Sequence, residues 1–492
     1  MKPRPKLRDF LLLILLTAGA IAVHGYHPFV EDGEIYVPGI KQALDPQLYA
    51  YNAAFFASHA HMTLFPELIA GSIRLAHVPV EWGLLAWHFT SIFLLLLGCW
   101  HVGRLAFGRP LAAWGGTALV ASLLTIPIAG TALYIMDEYV STRSLSAPAV
   151  IFLAVNTVER KFARAALWAL FAAAIHPLMA VFGLTYAALL LWMRRPARVS
   201  SAAERPTATA VVFLFPLGLF PPVTPAYRVI LSTRSYFFLW SWAWYEWLGL
   251  IAPMVLLWWF LRIARNHGFP LLNLFCRALL VFGVVFFIAS AAISIPPQFA
   301  RFAELQPTRY LHLLYILFLV LGGGLLAELV LKKHFWRWLL LFVPLCTGMW
   351  FTQRQLFLAT PQIEWPGAAP NNGWLQAFVW IRRHTPVDAY FALNPDYMKQ
   401  PGEDEHGFRA MAERSALADR VKDSGAASMF PQLAEAWMTQ VQAQRGWKNF
   451  HVEDFRRLKQ EFGVDWVVVE QPPAAGLICP YQNKTVAVCR VE

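Results

Sequence analysis

The chain has 492 residues, 58% of them hydrophobic and only 14% charged, with 37 Phe and 21 Trp. A soluble chain of this size carries roughly a quarter charged residues, so the composition specifies an integral membrane protein and excludes an ordinary soluble enzyme. The net charge of +11 does not point to nucleic acid, because its Lys and Arg fall mainly in short connectors between apolar segments, where they fix orientation.

Lys2, Arg4, Lys6 and Arg8 precede the apolar run Phe10 to Val23. The pattern is similar to a signal peptide, but Ala18-Gly19-Ala20 is a poor cleavage site and a multi-span chain follows, which favours an uncleaved first helix. Next comes Gly25 to Glu34, with Glu31, Asp32 and Glu34 placing three carboxylates within four residues. The remainder of the first loop, to Gly83, is too broken for one helix. Tyr49 to His59 and Phe65 to His77 read as amphipathic segments at the interface.

Spans are expected at Leu84 to Leu105, Leu111 to Leu133 and Ser144 to Val158. Ala165 to Met193 has basic residues at both flanks. A hairpin of two short helices broken at His176-Pro177 keeps both flanks on one side, and proline interrupts the helix there. Further spans are expected at Thr207 to Val223, Leu248 to Ile263, Leu271 to Ile295, Arg309 to Leu331 and Arg337 to Phe357. Tyr236, Trp240, Trp242, Trp244 and Trp247 form an interfacial aromatic belt. The count is about 11 helices, with the N-terminus inside and the C-terminus outside by the positive-inside rule.

Residues 1–357 thus form a transmembrane unit and 358–492 a small α/β domain outside the membrane. In the latter, helices are expected at Trp374 to His384, Phe408 to Val421, Met429 to Gln444 and Val452 to Phe462. Strands are expected at Ala389 to Asn394 and Asp465 to Glu470, and an edge strand at Thr485 to Val491. Cys479 and Cys489 flank a hairpin and suit a disulfide if this end is extracytoplasmic, whereas Cys99, Cys276 and Cys346 lie in apolar segments.

The chemistry concentrates in the external loops. Glu31 and Glu34 share a face if they are helical, whereas in a turn Gly33 lets the backbone present Asp32 alone. A carboxylate in a partly desolvated cavity acts as a general base, and paired carboxylates also hold a divalent cation. The bland alternative is that Asp32 caps a helix and the glutamates are solvated. Asp137-Glu138 repeat the acidic pattern beyond the third span, and Arg143 follows at the start of a span. Arg143 either meets an anion such as phosphate or pairs internally with Asp137 or Glu138. Arg309 offers a second cation to a phosphate, or snorkels to the interface. His176 sits at the hairpin break, as a cavity residue or a satisfied core histidine. Tyr49, Tyr51, His59 and His61 are weaker candidates for a sugar face. No phosphate-binding Gly-Lys loop, Rossmann glycine pattern or His-Glu-x-x-His helix occurs.

A first span followed by a long external loop with an acidic pair, a second acidic pair, interfacial helices and a C-terminal extracytoplasmic domain resemble the GT-C class of membrane glycosyltransferases. That class includes the protein mannosyltransferases and the aminoarabinose transferase of lipid A. Glu31-Asp32-Gly33, Thr142 to Ser146 and His176 to Met179 are also similar to bacterial membrane proteins of that kind.

The resemblance implies a hexosyl- or pentosyltransferase of a bacterial inner membrane. It would move a sugar from a polyprenyl-phosphate donor to an extracytoplasmic glycan, lipid or protein acceptor. Asp32 or Glu31 would be the base by position; from the residues themselves, Arg143, Arg309, His176 and Glu34 are expected to bind substrate or phosphate, and Asp137 and Glu138 to hold any Mg or Mn ion. The alternative class is a transporter or lipid flippase, which calls for charges at mid-span and inverted repeats.

Overall fold

The computed structural model describes residues 6–194, 223–294, 302 and 304–492. The expected span at Thr207 to Val223 lies outside the described residues apart from Val223. Among the described residues, six helices are long and apolar enough to cross a membrane: α1 (Leu7–His24), α5 (Val80–Phe107), α11 (Trp244–Asn266), α12 (Pro270–Ser294), the helix Pro307–Leu331, whose α-helical part is α13 (Tyr310–Leu326), and α14 (Phe335–Leu356). Three shorter apolar helices, α6 (Pro110–Ala121), α8 (Phe162–Ile175) and α9 (Pro177–Met193), fill in between them.

The first loop folds into α2 (Gly33–Leu44), α3 (Ala54–Ala60) and α4 (Phe65–Ala76), and α10 (Pro225–Ser232) follows the gap in the described chain. All residues of α7 (Thr142–Val158) are buried, so this helix is the axis around which the bundle packs. Helices α6 and α13 approach most closely through glycine. A Cβ at Gly116 would lie 2.4 Å from the Val320 carbonyl oxygen, and one at Gly115 2.6 Å from that of Gly323. Small residues at such a crossing are the usual way for membrane helices to gain dispersion contact. The hairpin at His176-Pro177 is present. Pro177, which has no N–H to leave unpaired, opens α9 at its first position.

The third span is shorter than its hydrophobicity suggested. It ends at Ala121, and residues 122–141 run as irregular backbone. Pro127 supplies no N–H, and Ala129 and Ala132 adopt positive φ of 47° and 53°, which a helix cannot contain. Within a membrane, irregular backbone is tolerated only where it lines a wet cavity or lies against protein.

Residues 358–492, expected from the sequence to be a soluble domain and called so below, contain α15 (Gly373–His384), α16 (Phe408–Ala412), α17 (Asp423–Met429), α18 (Ala434–Ala443) and α19 (Val452–Phe462) around a five-stranded mixed sheet. Its strands are β1 (Tyr390–Leu393), β2 (Ser415–Ala416), β3 (Trp466–Glu470), β4 (Ile478–Gln482) and β5 (Val486–Arg490), in the order β2-β1-β3-β5-β4. β1 is parallel to β2 and β3, whereas β5 runs antiparallel to both β3 and β4. β5, expected from the sequence as an edge strand at Thr485 to Val491, is therefore interior, and β4 lies at the edge instead.

The expected helix Phe408 to Val421 breaks after Ala412, because Glu413 turns left-handed (φ 55°) and the chain enters β2. Val468, Val486 and Val488 face α15, while Val467, Val469, Ala487 and Cys489 face Phe455 and Leu458 of α19. Burial on both faces explains why β3 reads as an unbroken valine run.

The sequence boundary at residue 357 is not a physical seam. Val37 and Ile40 of α2 and Phe65, Ile69 and Ile73 of α4 share one apolar core with Phe378, Phe408 and Met411 of the soluble domain. Residues of α10 pack likewise with Ala426 and Ala427 of α17 and with Trp437 of α18.

Cys479 and Cys489 form a disulfide between β4 and β5. Peptide mapping of protein alkylated without prior reduction is expected to recover these two residues in one linked species. Two separately alkylated thiols would place the domain in a reducing compartment.

Candidate active site

Where the first loop, residues 127–143, the hairpin break and the soluble domain converge, they enclose a cavity of about 750 Å³. Its walls carry Glu31, Asp32, Asp137, Glu138, Arg143, His176 and Arg309, seven of the eight residues singled out from the sequence. They come from four separate stretches of chain. Tyr36, His59, Arg234, Glu246, Glu304 and Lys422 line it as well. Pro177, Leu178 and Val181 of α9 supply an apolar wall.

Glu31 holds a left-handed backbone (φ 54°), stabilised by its N–H donating to the Glu405 carbonyl at 2.9 Å. Asp32 then occupies the position before α2, but its side chain does not cap the helix. Its carboxylate instead turns into the cavity, with Oδ2 3.6 Å from Arg143 and Oδ1 3.3 Å from Lys422. Lys422 also pairs with Glu31. Burial draws the Lys422 ammonium down to about 7.

Arg143 lies in the first turn of α7, where the helix dipole is unfavourable to a cation, so it needs carboxylate partners. Asp137 Oδ2 accepts from Arg143 Nη2 at 2.8 Å and from the Ser141 hydroxyl at 2.9 Å. The internal pairing left open by the sequence is thus formed, while Arg143 still faces Asp32. Arg309 is different. Among the described residues its guanidinium makes no hydrogen bond or ion pair, although it lines the same cavity.

Glu138 is 3% exposed and its Oε1 has no partner among the described residues. Burial, reinforced by the charge of Asp137, pushes its carboxyl up to about 8. The Asp137–Glu138 pair does not form an oxygen cage for Mg or Mn. Asp137 is committed to Arg143 and Ser141, and among the described residues no three His, Cys, Asp or Glu side chains converge as ligands would.

Glu34 stands apart from the cavity. The phase of α2 turns it toward the soluble domain, where it is 1% exposed. Its carboxylate accepts from the backbone N–H groups of Arg409 and Ala410, each at 3.0 Å, and lies 3.3 Å from Arg409 Nη1. Arg409 donates in turn to both Asp423 oxygens, at 2.9 and 2.7 Å. A Cβ at position 407 would lie 2.3 Å from Glu34 Oε2, so Gly407 permits this approach. The role expected of Glu34 in substrate binding gives way to a structural one.

Of the weaker candidates, only His59 lines the cavity; burial lowers its imidazole to about 4, and its Nε2 lies 3.1 Å from Met429 Sδ. Tyr49 donates to the Arg409 carbonyl, and Tyr51 stacks on Tyr390. Sequence reasoning missed Lys422 and Arg234. Lys422 sits in polar sequence where a charge is unremarkable, Arg234 lies at the edge of the aromatic belt, and no signal marked either as facing the cavity.

No family model matches the chain, and no curated protein does. Among solved structures, the crystal structure of ArnT from Cupriavidus metallidurans in the apo state aligns over 98% of this chain and 97% of that chain. The identity is 13% and the TM-score 0.31, a likeness that carries no argument.

Two outcomes follow from these environments. Arg409→Ala would leave Asp423 and Glu34 buried without their cation, at a cost of about 3–5 kcal/mol, read as a marked drop in thermal unfolding temperature. Glu138 has the opposite sign. Below its ordinary 4.5 both folded and unfolded chains hold the proton; between 4.5 and about 8 only the unfolded chain releases it, so stability falls as pH rises. Glu138→Gln should therefore gain thermal stability over the wild type, by a margin that grows between pH 5 and pH 8. A margin independent of pH would contradict the buried, protonated state.

Proposed function

We propose that the protein is a membrane glycosyltransferase that moves a sugar from a polyprenyl-phosphate donor to an extracytoplasmic acceptor. The observation that carries this reading is the convergence, in one cavity beside an apolar wall, of paired carboxylates and an arginine unpartnered among the described residues. Asp32 takes the proton from the acceptor hydroxyl as its oxygen bonds to the anomeric carbon. The bond from that carbon to the phosphate oxygen breaks at the same time, and its electron pair leaves with the lipid phosphate. A single displacement of this kind inverts the anomeric centre.

Charge on the departing phosphate grows during the step, and a fixed cation that meets it only then lowers the barrier. Arg309 suits that role better than Arg143, whose charge is already balanced by Asp137 and Asp32. The donor's prenyl chain would lie along Pro177, Leu178 and Val181. The orientation that puts this cavity outside the membrane follows from the basic connectors between the spans.

Purified protein in lipid nanodiscs, offered a panel of polyprenyl-phosphate sugars, is expected to turn over at least one of them. Asp32→Asn should reduce turnover by about 10²–10⁴-fold while the protein stays folded. Arg309→Ala should cost roughly 10²-fold, mainly in kcat. Full activity in Asp32→Asn would overturn its role as base. Facilitated movement of a labelled lipid across the bilayer, with no turnover of any donor, would favour a transporter instead.

A further inference from the structure

The proposed base belongs to the first loop, yet one of its two cation partners belongs to the soluble domain. Lys422 is 8% exposed, and its ammonium reaches across the cavity to Glu31 and to Asp32 Oδ1. Arg143 approaches the other oxygen, Oδ2. The two cations thus hold the carboxylate plane from opposite edges.

The position of Lys422 is itself fixed. Its backbone N–H donates to Asp419 Oδ1 at 2.6 Å, and the next residue, Asp423, grips Arg409, which reaches Glu34 of α2. The buried bridge therefore sets the distance between α2 and the segment bearing Lys422. We propose that Lys422 is a positioning residue for Asp32 and Glu31, so that docking of the soluble domain on the first loop completes the active site.

This rests on reading Asp32 as the base. Two carboxylates on adjacent residues repel, and an ammonium between them offsets that repulsion while restricting their rotation. The other groups facing Asp32 are Arg143 of α7, Arg309 before α13, Tyr36 of α2, His59 of α3 and Tyr139 of the 122–141 segment. The two arginines remain beside Asp32 when Lys422 is replaced, so removing Lys422 should loosen the hold on its carboxylate without abolishing it. An arginine at position 422 should preserve it.

The test reads Asp32 directly. Infrared difference spectra of the full-length protein in nanodiscs are recorded across pH, and the carboxyl band missing from Asp32→Asn is assigned to Asp32. In Lys422→Gln that band is expected to titrate about one pH unit or more above the wild type, with Lys422→Arg close to the wild type. Lys422→Met provides a second uncharged variant should the glutamine variant fold poorly. In turnover assays the acidic limb of kcat/KM should move upward by the same interval. An unchanged Asp32 titration in both uncharged variants would overturn the proposal even if Asp32→Asn abolishes transfer. A shifted titration in a protein that transfers no sugar would uphold the positioning role and refute the transferase reading.

Discussion

The buried bridge from Glu34 through Arg409 to Asp423 is the constraint on which the site depends. It joins the first loop to a domain that begins more than three hundred residues later, in surroundings where none of the three groups meets bulk water. Taking charges out of water is expensive, and the bridge repays that cost only through its geometry: two contacts to Asp423, one to Glu34, and two backbone amides on the glutamate. Around it, α2 and α4 share an apolar core with α15 and α16. A second tie runs through Glu364 Oε1, which accepts from His27 at 2.7 Å and from His406 at 2.8 Å. The soluble domain is held as a wall of the cavity.

That arrangement explains how a strongly apolar chain keeps so many charges in one place. Carboxylates and arginines beside a membrane persist when they are paired or solvated, and the cavity provides both conditions. Arg143 and Lys422 are balanced by Asp32, Asp137 and Glu31, which leaves Arg309 as a cation without a protein partner among the described residues. On the proposed reading, an oriented base and a cation unmatched among the described residues suit an anionic substrate that becomes more anionic as it reacts.

Much of this was legible in the sequence because charged residues in apolar surroundings are few and conspicuous. Glu31, Asp32, Asp137, Glu138, Arg143, His176 and Arg309 stood out for that reason, and the break at His176-Pro177 followed from two basic flanks and a proline. Other features depend on information that hydropathy does not carry. Nothing in Glu31-Asp32-Gly33-Glu34 says which carboxylate will face the cavity; the left-handed turn at Glu31 and the phase of α2 decide that. The third span looked long because residues 122–133 are apolar, but Pro127 and the positive φ values near it divert them into the cavity wall. Lys422 was invisible because a lysine in a polar domain is ordinary until the tertiary fold turns it inward. β5 alternates like an edge strand, and only pairing on both sides reveals it as interior.

The central claim is that this cavity receives a lipid-linked phosphate at Arg309. Electron cryomicroscopy of the protein in nanodiscs with an added polyprenyl phosphate tests it most directly. The phosphate should appear within hydrogen-bonding distance of Arg309, with Asp32 beside it and the prenyl chain running past Leu178 and Val181. Density for the headgroup at the opposite end of the bundle, with the cavity containing only water, would contradict it.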